Sequence, residues 1–442
     1  SLRTVQGGVF LFRDLVIPSG VTVRGEGSNP LVIVCTRDCV IRGALRVDGA
    51  DGSRVDTLNS ANFPSPGGRG QCGGGDGGDG SPFLARRSPA GLSGRGGSAF
   101  FLRPGGAGGE LVINGGRAPG GGGGSFITNG DPYYPFSSTA PRWTQLSGQG
   151  GAGGLGLAGA LTRVPDGGVP NGSPFLNQIQ VDDFFGVGVD LSLGLVIPGE
   201  LSELTGGTGG GGGGDLSGGG LQFVTDEKGG GGGAGGGALL IAAVNSIVLD
   251  GGQISADGGN GGGGEQAGGN NRGGGGGGGS GGMIVLASTG IVDLRMSEFD
   301  STGGPLASDG DYVFSLSAQG GIGTQGDFTR AIDGKYGASG NTVGDPSWDD
   351  FPAGGFGGLG LIQIVTPPGQ NADGTNTILD DSIVVRDPAG NILSGAMKQA
   401  ALSWRGFPRA GGDGVDDQGN AIQLGVQVGD IHPPPLLQPI LN

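Results

Sequence analysis

The sequence has little of what most enzymes and nucleic-acid-binding proteins use. It contains a single histidine, His432, among 442 residues, which leaves almost no scope for histidine-based catalysis or metal binding. Charged residues make up 14% of the chain, and acidic residues outnumber basic ones by 40 to 24. Nucleic-acid binding requires lysine and arginine that neutralise phosphates. The net charge of −16 therefore argues against a nucleic-acid partner.

Long apolar runs are also missing. A membrane-spanning helix needs about 20 consecutive apolar residues, and no run in this chain approaches that length. The sequence therefore predicts no membrane span. No basic stretch followed by an apolar one appears at the start either, so we expect a mature exported chain or one that was never exported.

Glycine is what the sequence has in excess, with 113 residues, whereas glycine averages about 7% of proteins. The glycines do not follow the one-in-three register of collagen. Ordering glycine costs more backbone entropy than ordering any other residue, and glycine has no side chain to bury in return. We therefore predict ordered, polyglycine II-like segments whose N–H and C=O groups bond those of neighbouring segments. The alternative is long solvated loops.

Short apolar runs bounded by glycine, aspartate and asparagine predict β-strands, for example at 31–34, 247–249 and 283–286. Many runs are continuous and not alternating, which predicts burial on both faces. Helical periodicity is confined to residues 396–404. The predicted fold class is all-β, either a short-strand sandwich or a β-solenoid, with the glycine-rich segments extending from the strand ends.

The two halves of the chain resemble each other. The segment at 31–52 resembles the one at 239–259, and the motif at 15–18 (LVIP) recurs at 195–198. Three further short matches keep the same order. The sequence thus predicts an internal duplication, with a β-rich unit at 1–191 and a second unit, with longer glycine-rich inserts, at 192–431.

The last segment, residues 432–442, is rich in proline and must be extended. Proline excludes it from the middle of a sheet. Its apolar side chains can dock either on the same chain or on a neighbouring copy. These candidate interaction residues are Leu436, Leu437, Ile440 and Leu441.

Two of the three cysteines are close in sequence. The repeat places Cys35 opposite Ala243 and Cys39 opposite Ile247, where core residues are expected. A tight turn can bring their Cα atoms within about 7 Å, so a Cys35–Cys39 disulfide is predicted. Cys72 pairs with another chain, pairs with one of the first two cysteines, or stays free.

A weak calcium candidate lies near the C-terminus. Asp413 and Asp416 belong to a GGDGVD segment that matches the opening of a calcium-binding nonapeptide repeat. Gln418 breaks the pattern, and the repeat functions in tandem arrays whereas this chain has one copy. Plain turn chemistry is the alternative, and no other cofactor is predicted.

Adjacent aspartates are the remaining route to catalysis. The pairs at 182–183, 349–350 and 380–381 are candidates for a polysaccharide-degrading β-helix enzyme, but neighbouring strand residues point to opposite faces. Each pair therefore offers one inward carboxylate, and we expect the protein not to be an enzyme.

Tyr133 and Tyr134 form the best aromatic cluster and are candidate interaction residues for sugar rings.

The segment at 235–264 (GGGALLIAAVNSIVLDGGQISADGGNGGGG) resembles glycine-rich repeats of large secreted and surface-anchored bacterial proteins. The segment at 17–34 (IPSGVTVRGEGSNPLVIV) is similar to the strand repeats of β-helical surface proteins. Such proteins serve as adhesins, matrix components or fibre subunits. The resemblance implies an extracellular or cell-surface subunit of a homopolymeric filament, sheath or matrix, assembled by backbone hydrogen bonding and by docking of tails and strands. The alternative is a surface adhesin or carbohydrate-binding module whose partners are glycans.

Overall fold

The computed structural model describes a large part of the chain, and every structural statement here concerns that part. The described residues are 1–55, 64–81, 105–106, 108, 112–113, 120–124, 126, 134–135, 184–190, 195–214, 216–217, 228–264, 273–295, 315–321, 352–355, 357–370, 376–377, 382–387, 389–395, 398, 402, 431–432 and 436–439.

The described residues form mostly short β-strands, which confirms the predicted all-β class. In chain order they are β1 (Leu2–Phe12), β2 (Leu15–Ile17), β3 (Thr22–Cys35), β4 (Asp38–Ile41), β5 (Ala44–Arg46), β6 (Val112–Ile113), β7 (Tyr134–Pro135), β8 (Val187–Asp190), β9 (Leu195–Pro198), β10 (Leu216–Ser217), β11 (Ala238–Ala243), β12 (Ser246–Asp250), β13 (Gln253–Ser255), β14 (Met283–Ser288), β15 (Ile291–Arg295), β16 (Leu316–Ser317), β17 (Pro352–Ala353), β18 (Leu361–Thr366), β19 (Gly369–Gln370), β20 (Asn376–Thr377), β21 (Ile383–Arg386), β22 (Ile431–His432) and β23 (Leu436–Pro439). In the segment with helical periodicity, Lys398 and Leu402 have α-helical backbone.

Most of the strands stack in parallel as three ladders. The first ladder runs from residues 8–12 of β1 through residues 31–35 of β3 to β11, β14, β18 and β23. The second contains β2, β4, β12, β15 and β21. The third runs from residues 2–6 of β1 through residues 22–26 of β3 to β5, β13, β16 and β22. Because β1 and β3 each span two ladders, the first and third ladders form one sheet.

The chain visits the ladders in a repeating order. The strands β11, β12 and β13 lie beside residues 31–35 of β3, β4 and β5, with Leu239 opposite Leu31 and Ile254 opposite Leu45. The resemblance between 31–52 and 239–259 therefore reflects strands that pair in register. Strands from both predicted units share the same sheets. The LVIP match has a different basis, since β2 pairs in parallel with β4 whereas β9 pairs antiparallel with β8.

One apolar core lies among the three ladders. Ile241 from the first ladder, Leu249 from the second and Ile254 from the third belong to the same buried cluster. Inward and outward positions alternate along β12, whereas β14 is buried at nearly every position. The outer side of β14 packs into a second cluster, in which Val285 is joined by Leu201. The continuous apolar run of β14 is therefore covered on the outside as well, whereas the continuous runs at 31–35 and 247–249 alternate between buried and half-buried positions, so burial on both faces was wrongly predicted for them.

Glycine-rich tracts leave the sheet directly after third-ladder strands and return directly before first-ladder strands. Residues 47–55 follow β5 and residues 256–264 follow β13, while 229–237 precede β11 and 273–282 precede β14. The glycines in these tracts are almost all buried. The tracts therefore continue from the ends of these strands and form a separate layer of backbone.

The tract at 229–237 shows how this layer is held together. Its amide groups donate backbone hydrogen bonds of 2.7–3.3 Å in three directions. The amides of residues 229, 232 and 235 donate to residues 75–81. The amides of residues 230, 233 and 236 donate to residues 274–280, and those of 231, 234 and 237 donate to residues 47–53. The backbone therefore repeats every three residues, and each repeat binds three neighbours.

The carbonyl groups of the same tract bind further neighbours. They accept hydrogen bonds from amides in residues 207–213 and 259–262 and from Gly68. Donated and accepted bonds together join the tract to six other segments of the described chain. This network satisfies the buried backbone groups of the tract mainly through other backbone groups.

Close approach explains why these positions are glycine. A Cβ atom added to Gly279 would lie 1.9 Å from the carbonyl oxygen of Ala234, and one added to Gly232 would lie 2.2 Å from that of Gly210. Neither glycine has a positive φ. The requirement is therefore space between backbones and not an unusual backbone conformation.

Replacing a packed glycine should destabilise the protein more than replacing a glycine at a turn. We expect Gly279→Ala to lower the free energy of unfolding by about 3 kcal/mol or more, because the added methyl meets a backbone carbonyl that cannot rotate away. Gly20 has a φ of +74° and no atom within 4 Å of an added Cβ. Gly20→Ala should cost only about 1–2 kcal/mol. Urea unfolding of both variants measures the difference, and equal midpoints would contradict the close-packing argument.

Candidate functional site

The ladders begin at an edge formed by β1 and β2, which we call the open edge. Within the described part of the chain, β1 pairs only with β3 and β2 only with β4. The outer backbone groups of both strands therefore have no strand partner among the described residues. The open edge runs across all three ladders, since β1 begins the third and first ladders and β2 begins the second.

The side chains of the open edge are largely apolar and exposed. Val9 is 70% exposed, Leu11 is 74% exposed and Val16 is 52% exposed. Phe10 points toward the core but is only partly buried, whereas Ile33, its partner on β3, is 5% exposed. The inward-facing Phe10 of β1 is therefore less buried than its partner on β3.

At the opposite end of the ladders, a further segment covers the outer side of β21, the last strand of the second ladder. The Leu393 amide donates a 2.8 Å hydrogen bond to the carbonyl of Val385 on β21, and Ile392 forms an antiparallel bridge with Arg386. Leu402 packs against the core with 7% exposure. The other two terminal strands, β22 and β23, have two and four residues, and β23 ends at a proline. Short strands, proline and a covering segment are the usual protections of sheet edges.

A polar cleft lies where the bulge between β1 and β3 meets a turn of the glycine layer. Its volume is about 540 Å³, and its side-chain lining includes Glu26, Arg69 and Gln71. The Gln71 amide oxygen accepts a 3.1 Å hydrogen bond from the Gly27 amide. Neither Glu26 nor Arg69 has an ion-pair partner among the described residues. The cleft therefore presents one carboxylate and one guanidinium that no described residue pairs.

The turn beside this cleft has an uncommon backbone conformation. Cys72 has a φ of +46°, which is rare for a residue other than glycine. Its amide donates a 2.5 Å hydrogen bond to the Gly27 carbonyl, and its thiol is fully buried. These contacts fix the turn against β3 and so hold the two walls of the cleft together.

The structure has three free cysteines, so the predicted Cys35–Cys39 disulfide is absent from it. Cys35 ends β3 and Cys39 lies in β4, and both thiols are fully buried in the core. They contact each other through a hydrogen bond, and burial raises the pKa of both. The alignment opposite Ala243 and Ile247 agrees with the strand register. Burial also raises the pKa of Cys72 to about 12, so all three groups are protonated thiols near neutral pH.

An ionic ladder runs along the outside of the second ladder of strands. Asp250 bonds Arg42 at 3.0 Å and Arg295 at 3.1 Å, and these contacts hold the pKa of the Asp250 carboxyl below its usual value. One strand further along, Asp293 binds the Arg386 guanidinium at 2.9 Å. These pairs join neighbouring strands of the second ladder, and each charged group of the ionic ladder has an ion-pair partner.

The residues predicted for interaction are only partly within the described chain. Leu437 is half-buried against the core and Leu436 is 36% exposed, both on β23, which pairs with β18 of the same chain. Tyr134 begins β7, which pairs antiparallel with β17. The candidates Tyr133, Ile440 and Leu441 lie outside the described residues.

The calcium candidates Asp413 and Asp416 also lie outside the described residues. Within the described ranges, no group of three or more histidine, cysteine, aspartate or glutamate side chains is placed to hold a metal ion. The sequence analysis did not predict the open edge or the polar cleft, because each forms where segments far apart in sequence meet.

The comparisons with known proteins assign the chain to no family. No family model, curated protein or solved structure matches the chain. Among the described residues, no helix is long and apolar enough to cross a membrane.

Thiol labelling separates the free cysteines of the structure from the predicted disulfide. We expect the native protein to resist iodoacetamide, because the three thiols are buried and protonated. In guanidinium chloride without reductant, all three should be alkylated, as measured by the mass of the intact protein. Alkylation at Cys72 alone would show that Cys35 and Cys39 are bridged.

Proposed function

We propose that the protein is a structural subunit of an extracellular assembly of identical copies, such as a filament, sheath or matrix. On this proposal the stacked strands are a β-solenoid and the glycine tracts are a polyglycine II-like bundle attached to its side. The protein acts as building material and performs no catalysis.

The hydrogen-bond network of the glycine tracts carries this proposal. A tract joined to six others through its backbone has no free groups for chemistry and no side chains for recognition. It has a large number of backbone bonds that must break together for the tract to move. Such a layer is suited to bearing load, because stiffness is spread over the chain and does not depend on a few contacts.

The open edge supplies a means of assembly. An unpaired edge strand with exposed apolar side chains is a template for pairing with another chain. Monomeric proteins protect such strands, as Leu393 and Ile392 protect the outer side of β21 at the opposite end of the second ladder. The net charge of −16 keeps the remaining surface soluble and discourages unspecific association.

Electron microscopy and light scattering of the purified protein test the proposal. We expect dimers or larger assemblies at micromolar concentration, because the open edge buries apolar area when it pairs. The variant Leu11→Lys places a charge on the open edge at an exposed position, so it should fold normally but assemble less. A wild-type protein that stays monomeric across this range would refute the structural role.

A surface-binding module is the second candidate function, and the polar cleft favours it. A cleft of this volume is within the range of small-ligand sites, about 300–1,000 Å³. Its carboxylate, guanidinium and amide groups match the hydrogen-bonding demands of sugar hydroxyls.

Binding to a panel of neutral and acidic oligosaccharides tests this second function. Arg69→Gln should weaken any binding by about tenfold or more, since a hydrogen bond to a charged group contributes roughly 1.5–3 kcal/mol. Arg54→Gln, at an exposed arginine outside the cleft, is the matched control. Equal binding by both variants, or none by the wild type, would exclude the cleft as a glycan site.

A further inference from the structure

We propose that the polar cleft binds a zwitterionic saccharide, meaning one sugar or two linked sugars that carry an ammonium group and a carboxylate. Glu26 receives the ammonium and Arg69 receives the carboxylate. The inference rests on the second candidate function, glycan binding, and specifies the chemical class of the ligand.

The cleft combines a negative and a positive side chain that do not neutralise each other. Glu26 lies in β3 and Arg69 lies in the segment at 64–81, and both line the cleft. Neither forms an ion pair with the other or with any other described residue, whereas every charged group of the ionic ladder is paired. A ligand with both charges completes two ion pairs at once, and a neutral ligand completes none.

The two walls that carry these charges are joined by hydrogen bonds across the cleft. The Gly27 amide donates a 3.1 Å hydrogen bond to the side-chain oxygen of Gln71, and the Cys72 amide donates a 2.5 Å bond to the Gly27 carbonyl. Glu26 is next to Gly27 in sequence, and Arg69 is two residues before Gln71. The backbones that carry both charges are therefore fixed before a ligand arrives, which lowers the entropic cost of binding.

A third charged residue of the lining disfavours a purely anionic ligand. The Asp76 carboxylate accepts a 2.9 Å hydrogen bond from the Gly70 amide and also lines the cleft. With Glu26 and Arg69, it gives the lining two negative charges and one positive charge. An anion without an ammonium group would meet repulsion from two carboxylates, so the charge balance favours a ligand that also carries a positive group.

The uncharged part of the lining favours a carrier rich in hydroxyl groups. Gln6 and Ser28 are exposed and line the cleft, so an amide and a hydroxyl are available for hydrogen bonds to a sugar. None of the described residues in the lining has an apolar side chain. The volume of about 540 Å³ is within the range of small-ligand sites. These features match a saccharide better than a zwitterion with an apolar body.

Titration calorimetry with three matched disaccharides tests the proposal. The probe is glucosamine linked to glucuronic acid, which carries both charges. N-acetylation of its amine removes the positive charge, and reduction of its carboxylate to an alcohol removes the negative charge. We expect the wild-type protein to bind the probe about tenfold or more tightly than either derivative, because each derivative loses hydrogen bonds between charged groups.

Two conservative variants assign the charges. Glu26→Gln should abolish the preference for the free amine and keep the preference for the carboxylate, and Arg69→Gln should do the reverse. A general loss of structure cannot produce this crossed pattern, and unchanged urea midpoints should confirm that both variants fold. Glu203→Gln and Arg46→Gln change exposed side chains outside the cleft lining. These matched controls should bind all three disaccharides as the wild type does.

The possible failures of the inference and of glycan binding can be told apart. Equal binding of the three disaccharides would refute the zwitterionic ligand and leave the glycan-binding function intact, whereas no binding of any saccharide would refute both. β-Alanine carries the same two charges without hydroxyl groups, and we expect it to bind more weakly than the probe. If β-alanine binds as tightly, the saccharide assignment is wrong.

Discussion

Backbone hydrogen bonding between closely spaced main chains is the interaction on which the rest of this structure depends. In the tract at 229–237, each run of three residues donates to three different neighbours and accepts from others. This arrangement requires main chains to approach within the space that a single methyl group would fill, as at Gly279. The entropic cost of ordering glycine is therefore offset by peptide groups and not by side-chain burial.

The parallel ladders and the glycine layer depend on each other. The tracts at 47–55 and 256–264 begin where third-ladder strands end, and those at 229–237 and 273–282 end where first-ladder strands begin. Strand register therefore fixes the relative position of these four tracts. Asp48 illustrates the coupling, because its carboxylate accepts a 2.9 Å hydrogen bond from the amide of Asp257 at the same position of the next strand layer. The apolar core and the glycine layer are thus aligned by shared backbone.

The contrast between the two ends of the ladders links this architecture to the proposed role. A stack of parallel strands always leaves two edges, and evolution normally protects both. Here Ile392 and Leu393 bond the outer side of β21, while β1 presents Val9 and Leu11 at the other end of the ladders. These exposed apolar residues are the reason for placing the proposed assembly at β1 and β2.

The sequence by itself determined the all-β class, since short β-branched runs such as those at 31–34 and 283–286 bury apolar area only as strands. It also indicated the strand repeat, because residues that stack in register share the same environment. The tertiary structure alone decided which tracts are neighbours, because every glycine is chemically equivalent and only the ladder register distinguishes them. It likewise decided that Cys35 and Cys39 meet as thiols and that a cleft forms beside Cys72. These features arise where segments far apart in sequence come together, so no local sequence pattern predicts them.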